Sequence, residues 1–187
     1  MPPQPGNAQR PFETVLSADE IERAVGRLAE QIGRNYRGPE PLLVLGVLKG
    51  VVVFMADLIR RLPVPLEVEF VRAASYTGQS RGELEMKDDL EELPVEGRSV
   101  LLVDCVLDTG RTLSRLRRLL EQLRPASLEI CVLLSKQRER EMPIEPDYVG
   151  AEVPDVFLVG YGLDCDSRWR HLPYVGRYDP DADLYTN

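Results

Sequence analysis

Apolar residues recur along this chain at two spacings, and polar breaks divide them into alternating elements. Ile21, Val25, Leu28 and Ile32 fall at helical spacing directly behind Ser17-Ala18-Asp19-Glu20. That serine, with a glutamate three residues on, forms a capping box, so an amphipathic helix is expected over residues 18–35. Pro39-Glu40-Pro41 resets the chain. Residues 42–48 are almost unbroken in apolar character, as in a strand buried on both faces. Gly50 then turns the chain into a helix running through Phe54, Leu58 and Leu62, which stops before Pro63 and Pro65. Residues 66–72 alternate apolar and polar, as in a strand with one solvated or partner-covered face. A strand over 99–106, a helix over 112–124 with Leu113, Leu116, Leu120 and Leu123 on one face, a strand over 128–134 and a short strand near 156–161 complete the pattern. Strands alternating with helices predict a parallel α/β sheet with right-handed crossovers. Such sheets bind ligands outside the carboxyl ends of their strands.

Two segments break the pattern. Thr77-Gly78-Gln79-Ser80-Arg81-Gly82 is polar and glycine-bearing, and residues 83–96 are heavily acidic. A plain loop over 77–97 is long, and loops of that length in compact domains are functional lids or disordered. Residues 1–11 carry four prolines and no apolar core, which predicts a flexible tail rather than a signal peptide, ahead of one domain over 12–187.

Composition narrows the function classes. A chain of 187 residues can bury a core without disulfides. Cys105, Cys131 and Cys165 are odd in number and far apart, so neither a disulfide framework nor a structural zinc site is expected, and a reducing cytoplasm fits. No apolar run approaches the ~20 residues that cross a bilayer, so no membrane partner is expected. The net charge of −8 argues against nonspecific nucleic-acid binding. It leaves room for a phosphorylated small substrate, because divalent cations bridge carboxylates to phosphates.

The candidate chemistry lies in Val100-Leu101-Leu102-Val103-Asp104-Cys105-Val106-Leu107-Asp108-Thr109-Gly110-Arg111-Thr112-Leu113. An apolar strand breaks into acids, hydroxyls and a glycine, and a leucine-striped helix follows at once. A small-residue turn at a helix N-terminus is a place to hold a phosphate, with carboxylates beside it for a metal or for sugar hydroxyls. Helix capping alone would need only one of these residues.

This stretch resembles the phosphoribosyl-pyrophosphate (PRPP) motif of the type I phosphoribosyltransferases. Leu48-Lys49-Gly50, Ser75-Tyr76, Lys136 and Pro154-Asp155-Val156-Phe157-Leu158-Val159-Gly160-Tyr161-Gly162-Leu163-Asp164 are similar, in the same order, to segments of the hypoxanthine-guanine branch. The resemblance covers about residues 12–176. It implies the fold of that family, with a small hood and a mobile active-site loop. It also implies purine salvage: hypoxanthine or guanine plus PRPP gives IMP or GMP plus pyrophosphate, with Mg2+ as cofactor, in a homodimer or homotetramer.

The resemblance assigns roles by position. Asp108 is the acid near the base N7, acting as general base or steadying the proton there. Asp108, Thr109, Gly110, Arg111 and Thr112 surround the 5′-phosphate. Asp104 accepts hydrogen bonds from the ribose hydroxyls and, with Asp164, is implied as a metal ligand. Lys49 and Gly50, in a loop with a non-proline cis peptide, bind pyrophosphate together with Arg170. Lys136 donates to the 6-oxo group of the base, Phe157 stacks on it, and Leu158 offers backbone groups to its edge. Ser75 and Tyr76 open the loop that closes over the reacting centre. Without the resemblance, Lys49 reads equally well as a solvated strand-end lysine and Phe157 as a core aromatic. One position departs from the family pattern: Cys105 stands where a second acid is usual, and a thiol is a poor acceptor. The departure touches ribose or metal affinity, unless strand alternation turns that position away from substrate. Two other readings remain open. One is an RNA-binding pyrimidine-operon regulator on the same fold, which the acidic composition and Asp108 oppose. The other is a xanthine-preferring or weakened paralogue.

Overall fold

The computed structural model describes residues 12–36, 38, 40–74, 85–86 and 90–179. The expectations placed on the tail 1–11, on Ser75 and Tyr76 and on most of the loop 77–97 lie outside the described residues. The element order is β1 (Glu13–Leu16), α1 (Ala18–Asn35), β2 (Leu42–Leu48), α2 (Val52–Ile59), β3 (Leu66–Ala74), β4 (Glu85–Met86), β5 (Ser99–Leu107), α3 (Arg111–Gln122), β6 (Ser127–Lys136), β7 (Tyr148–Val153), β8 (Leu158–Val159) and β9 (Val175–Arg177).

The main sheet runs β4-β3-β2-β5-β6-β7. Every neighbouring pair in it is parallel except β3 with the two-residue β4. Strand alternation divides the apolar runs between two cores. Leu42 and Val44 of β2, Leu101 and Val103 of β5, and Cys131 and Leu133 of β6 pack under α1 and α2. Leu43, Leu45, Leu102, Ile130 and Val132 pack with Leu113, Leu116 and Leu120 of α3 on the other face. Two-sided cover explains why these strands read as nearly continuous apolar runs. At roughly 25 cal/mol per Å² of apolar surface removed from water, these two layers are the main stabilising term.

Helix α1 matches the expected span, and both halves of its capping box form: Glu20 N–H donates to Ser17 Oγ at 3.3 Å, and Ser17 N–H donates to Glu20 Oε2 at 2.8 Å. Helix α2 is shorter than its apolar spacing predicts. It ends at Ile59, and Leu62 stays in the core through a turn in which its N–H meets Leu58 O. The run near 156–161 forms β8, but in a second antiparallel sheet of order β1-β9-β8. Among the described residues no helix is long and apolar enough to cross a membrane.

β2 has β3 on one side and β5 on the other, so the chain reverses its direction of travel through the sheet between β2 and β5. The crevice at their carboxyl ends is therefore the topological switch point, where this architecture leaves room for a ligand.

Candidate active site

The turn between β5 and α3 is built to leave a helix end open. Gly110 is the N-cap residue, with φ +82°, and no side chain caps the helix. Arg111 N–H lies 3.5 Å from Thr109 Oγ1, at the limit of a hydrogen bond. The threonines therefore do not close the helix end as ordinary caps would, and its first-turn N–H groups are available to an anion. Glycine is required at position 110, because a Cβ there would sit 2.5 Å from Met142 O. The segment carrying Met142 is tied to the turn by Glu141 and Met142 N–H groups donating to Thr109 O and by an ion pair between Arg111 and Glu141. The Arg111 side chain is thus engaged outward, and its backbone is what the turn presents.

Asp108 stands at the end of β5 and meets two cations. Lys136 Nζ, at the end of β6, lies 2.7 Å from Asp108 Oδ2, and Arg138 Nη1 lies 2.9 Å from Oδ1. Lys136 is only 11% exposed, so its ammonium is held among protein groups rather than in bulk water. Asp155 Oδ1 is 3.7 Å from Lys136 and 3.6 Å from Arg138. Arg140 donates to the backbone carbonyl of Asp108 at 2.7 Å and to Ser135 Oγ at 2.7 Å. Arg138, Arg140 and Asp155 were not singled out by sequence reasoning. The two arginines sit in a run of charged residues that looks like solvated surface, and only their position just past Lys136 signals otherwise.

The loop after β2 carries a non-proline cis peptide between Leu48 and Lys49, as the resemblance implied. Gly50 packs against a second loop: a Cβ on Gly162, whose φ is +96°, would come within 2.2 Å of Gly50 O. In that second loop Arg170 donates to Gly162 O at 2.6 Å and pairs with Asp164 Oδ1 at 2.7 Å. Ser167 N–H donates to Asp164 Oδ2 at 2.8 Å. Backbone contact thus joins the loop carrying Lys49-Gly50 to the loop in which Arg170 binds Gly162 and Asp164, far apart as the two are in sequence.

Phe157 is 52% exposed, so it is not a core aromatic; its ring lies 5.6 Å from that of Tyr178. Leu158 is buried in β8, paired with Arg177 in register. Asp104 is partly buried, and burial pushes its carboxyl up to about 7 against the opposing hydrogen bonds from the Cys105 and Val106 backbone. The Cys105 N–H donates to Asp104 Oδ1 at 2.7 Å. The Cys105 side chain is fully buried with the α1–α2 core, with Sγ 3.9 Å from Tyr161 O. Burial raises its thiol far above the ordinary range, so it stays neutral. Among the described residues no group of three or more potential metal ligands forms.

A family model described as a phosphoribosyl transferase domain matches residues 12–166. The hypoxanthine-guanine phosphoribosyltransferase of Staphylococcus aureus is 39% identical over 177 residues, spanning 94% of this chain and 97% of its own. The hypoxanthine phosphoribosyltransferase of Salmonella typhimurium is 43% identical over 169 residues, 88% of this chain and 94% of its own. Among solved structures, a hypoxanthine phosphoribosyltransferase from Staphylococcus aureus superposes with a TM-score of 0.83 at 39% identity, covering 94% of each chain. The Trypanosoma cruzi hypoxanthine phosphoribosyltransferase in complex with the product IMP gives a TM-score of 0.83 at 35% identity, over 97% of this chain and 100% of that one.

Proposed function

The chain belongs to the phosphoribosyltransferase family, in its hypoxanthine-guanine branch, and we propose that it joins hypoxanthine or guanine to PRPP to give IMP or GMP and pyrophosphate. In that reaction the purine N9 forms a bond to the ribose anomeric carbon as the bond from that carbon to pyrophosphate breaks. The ribose becomes oxocarbenium-like on the way, the bonding pair leaves with pyrophosphate, and the base gives up one proton.

Each residue then has a task that follows from its chemistry. The open N-terminus of α3 and the turn 108–112 take the 5′-phosphate. Asp108 accepts the proton at N7 as N9 becomes bonded to carbon. Lys136 has three N–H groups and no acceptor, so it can hold Asp108 and still donate to a 6-oxo group, while a 6-amino group offers it nothing. Exposed Phe157 offers a face for stacking the base. Asp104 takes ribose hydroxyls, whose donated hydrogen bonds favour its charged form. Lys49, Gly50 and Arg170 take pyrophosphate, with Arg170 suited to bidentate anion binding.

Magnesium fits the donors present. Asp104 and Asp164 would offer hard carboxylate oxygens to an ion that keeps several waters and takes further oxygens from substrate phosphates. Bound there, it would offset the charge of the departing pyrophosphate.

The observation that carries this reading is the Lys136–Asp108 pair, set at the ends of adjacent strands beside an uncapped helix N-terminus. The test is pyrophosphate release from PRPP and magnesium with hypoxanthine, guanine, xanthine, adenine or uracil supplied singly. Hypoxanthine and guanine are expected to react, and adenine and uracil to stay at background. Release with none of the bases overturns the reading.

A further inference from the structure

We propose that Arg138 is a positioning residue for Asp108, fixing the plane of the general base and tying it to the segment that carries the base-stacking Phe157. This inference rests on the purine-transfer reading above and adds to it a residue with no role there.

A carboxylate gripped at one oxygen by an ammonium still swings, because a lysine head is a point charge on a four-carbon stem. Asp108 is gripped at both. Lys136 takes Oδ2 from the end of β6, and Arg138 takes Oδ1 from the loop that follows. Two holds from different backbone positions fix the rotation of the carboxylate, and with it the lone pair that meets the N7 proton. Arg138 is held in turn by Asp155, 3.6 Å away and two residues before Phe157. The chain of contacts thus runs from the base platform through Arg138 to the general base. Arg140, two residues on, secures the Asp108 backbone through its carbonyl, so the backbone and the side chain of one residue are held by two different arginines.

Stability is a poor explanation for the Arg138 pair. Arg138 is 31% exposed and Asp108 39% exposed, and ion pairs that wet contribute little to folding. Orientation is where such a pair has leverage, because small misplacements of a catalytic group cost rate out of proportion to their size. A base arriving beside Lys136 can take one of its remaining N–H groups, so Asp108 keeps both holds as the 6-oxo group is bound.

The test compares the full-length chain with Arg138→Ala, Arg138→Gln and Arg138→Lys. Hypoxanthine is the substrate, and 7-deazahypoxanthine, which has carbon in place of N7, is the competing ligand. In Arg138→Ala, kcat is expected to fall about tenfold with KM for PRPP unchanged, a part of the roughly 10²–10⁴-fold that a positioned base contributes, because the base is misaimed rather than removed. The preference for hypoxanthine over the 7-deaza compound should shrink by about the same factor, because only a correctly aimed carboxylate distinguishes N7 from carbon. Arg138→Lys should recover part of both, and the melting temperature should barely move. Arg138→Gln carries the test if the alanine variant fails to fold. A kcat and a preference that stay within about twofold of the unaltered chain overturn the inference. So does a fall in kcat with the preference intact, which would mark a general loss of structure. An unaltered chain that does not turn over hypoxanthine overturns the purine-transfer reading, and this inference with it; an active chain indifferent to Arg138 overturns this inference alone.

Discussion

Asp104 and Cys105 are consecutive on β5, and strand alternation sends them to different surroundings. The thiol faces the α1–α2 core and the Tyr161 carbonyl, beneath the loop that carries Gly50; a Cβ on that glycine would lie 3.9 Å from Cys105 Cβ. An acid at position 105 would be buried beside a carbonyl oxygen and next to Asp104. Replacing Cys105 by Asp is therefore expected to cost a few kcal/mol, roughly 5–10 °C in melting temperature, with little change in kcat/KM at temperatures where the variant is folded. A tenfold gain in kcat/KM with no loss in melting temperature would show that the missing acid limits activity. Asp104 carries a second expectation. Its carboxyl is raised from 3.8 to about 7 in the folded chain, so across that window the folded state keeps a proton that the unfolded chain has lost. The unfolded state binds fewer protons there, and stability falls as pH rises from about 4 to about 7, then levels. Asp104→Asn should remove that slope from denaturant midpoints measured at intervals from pH 4 to 8; identical slopes in the two proteins would contradict the assignment. The residues that meet at the candidate site were partly legible in the sequence. Asp108 and Lys136 follow from chemistry and resemblance together. Arg138 and Arg140 were hidden, because an arginine in a charged run differs from surface only through what it touches.

At the scale of elements, the decisive unit is β5, its turn and α3. Its sequence is legible for a physical reason: a strand covered on both faces must be apolar throughout, so the switch to acids, hydroxyls and glycine marks where cover ends and the site begins. Gly110 is the strictest requirement in that unit. Alanine there must adopt φ +82° and place Cβ 2.5 Å from Met142 O. Backbone strain of this kind costs about 1–3 kcal/mol, and relief would move the turn proposed to hold the 5′-phosphate, so Gly110→Ala is expected to lower stability and to raise KM for PRPP. Gly97→Ala is the control: its φ is +70°, but its Cβ would meet open space away from the turn, so only stability should suffer. An unchanged KM for PRPP in Gly110→Ala would remove that turn from the phosphate site. Other elements left too faint a signal. β7 follows β6 without a helix between them and carries Gly150, whose missing Cβ allows Leu133 O to approach, so its apolar spacing is broken. β1 and β9 are four and three residues long, too short for a period to register.

At the scale of the whole molecule, the sheet order does what no single element can. Placing β2 between β3 and β5 sets the carboxyl ends of β2, β5 and β6 along one edge. Lys49-Gly50, Asp108 with its turn, and Lys136 come from those three ends. The small sheet of β1, β9 and β8 adds Phe157 and Leu158 at its border, and the loop after β8 sets Gly162 and Leu163 against Gly50, with Arg170 bonded to Gly162 and Asp164. The acidic composition and the similarity to hypoxanthine-guanine relatives oppose a nucleic-acid-binding regulator on this same architecture. The most direct test of the central claim is to supply the purified chain with PRPP, magnesium and hypoxanthine and to follow IMP and pyrophosphate together. The account predicts that the two appear in equal amounts, that both require PRPP, and that adenine in place of hypoxanthine yields neither. Absence of IMP under these conditions, or equal turnover of adenine, would contradict it.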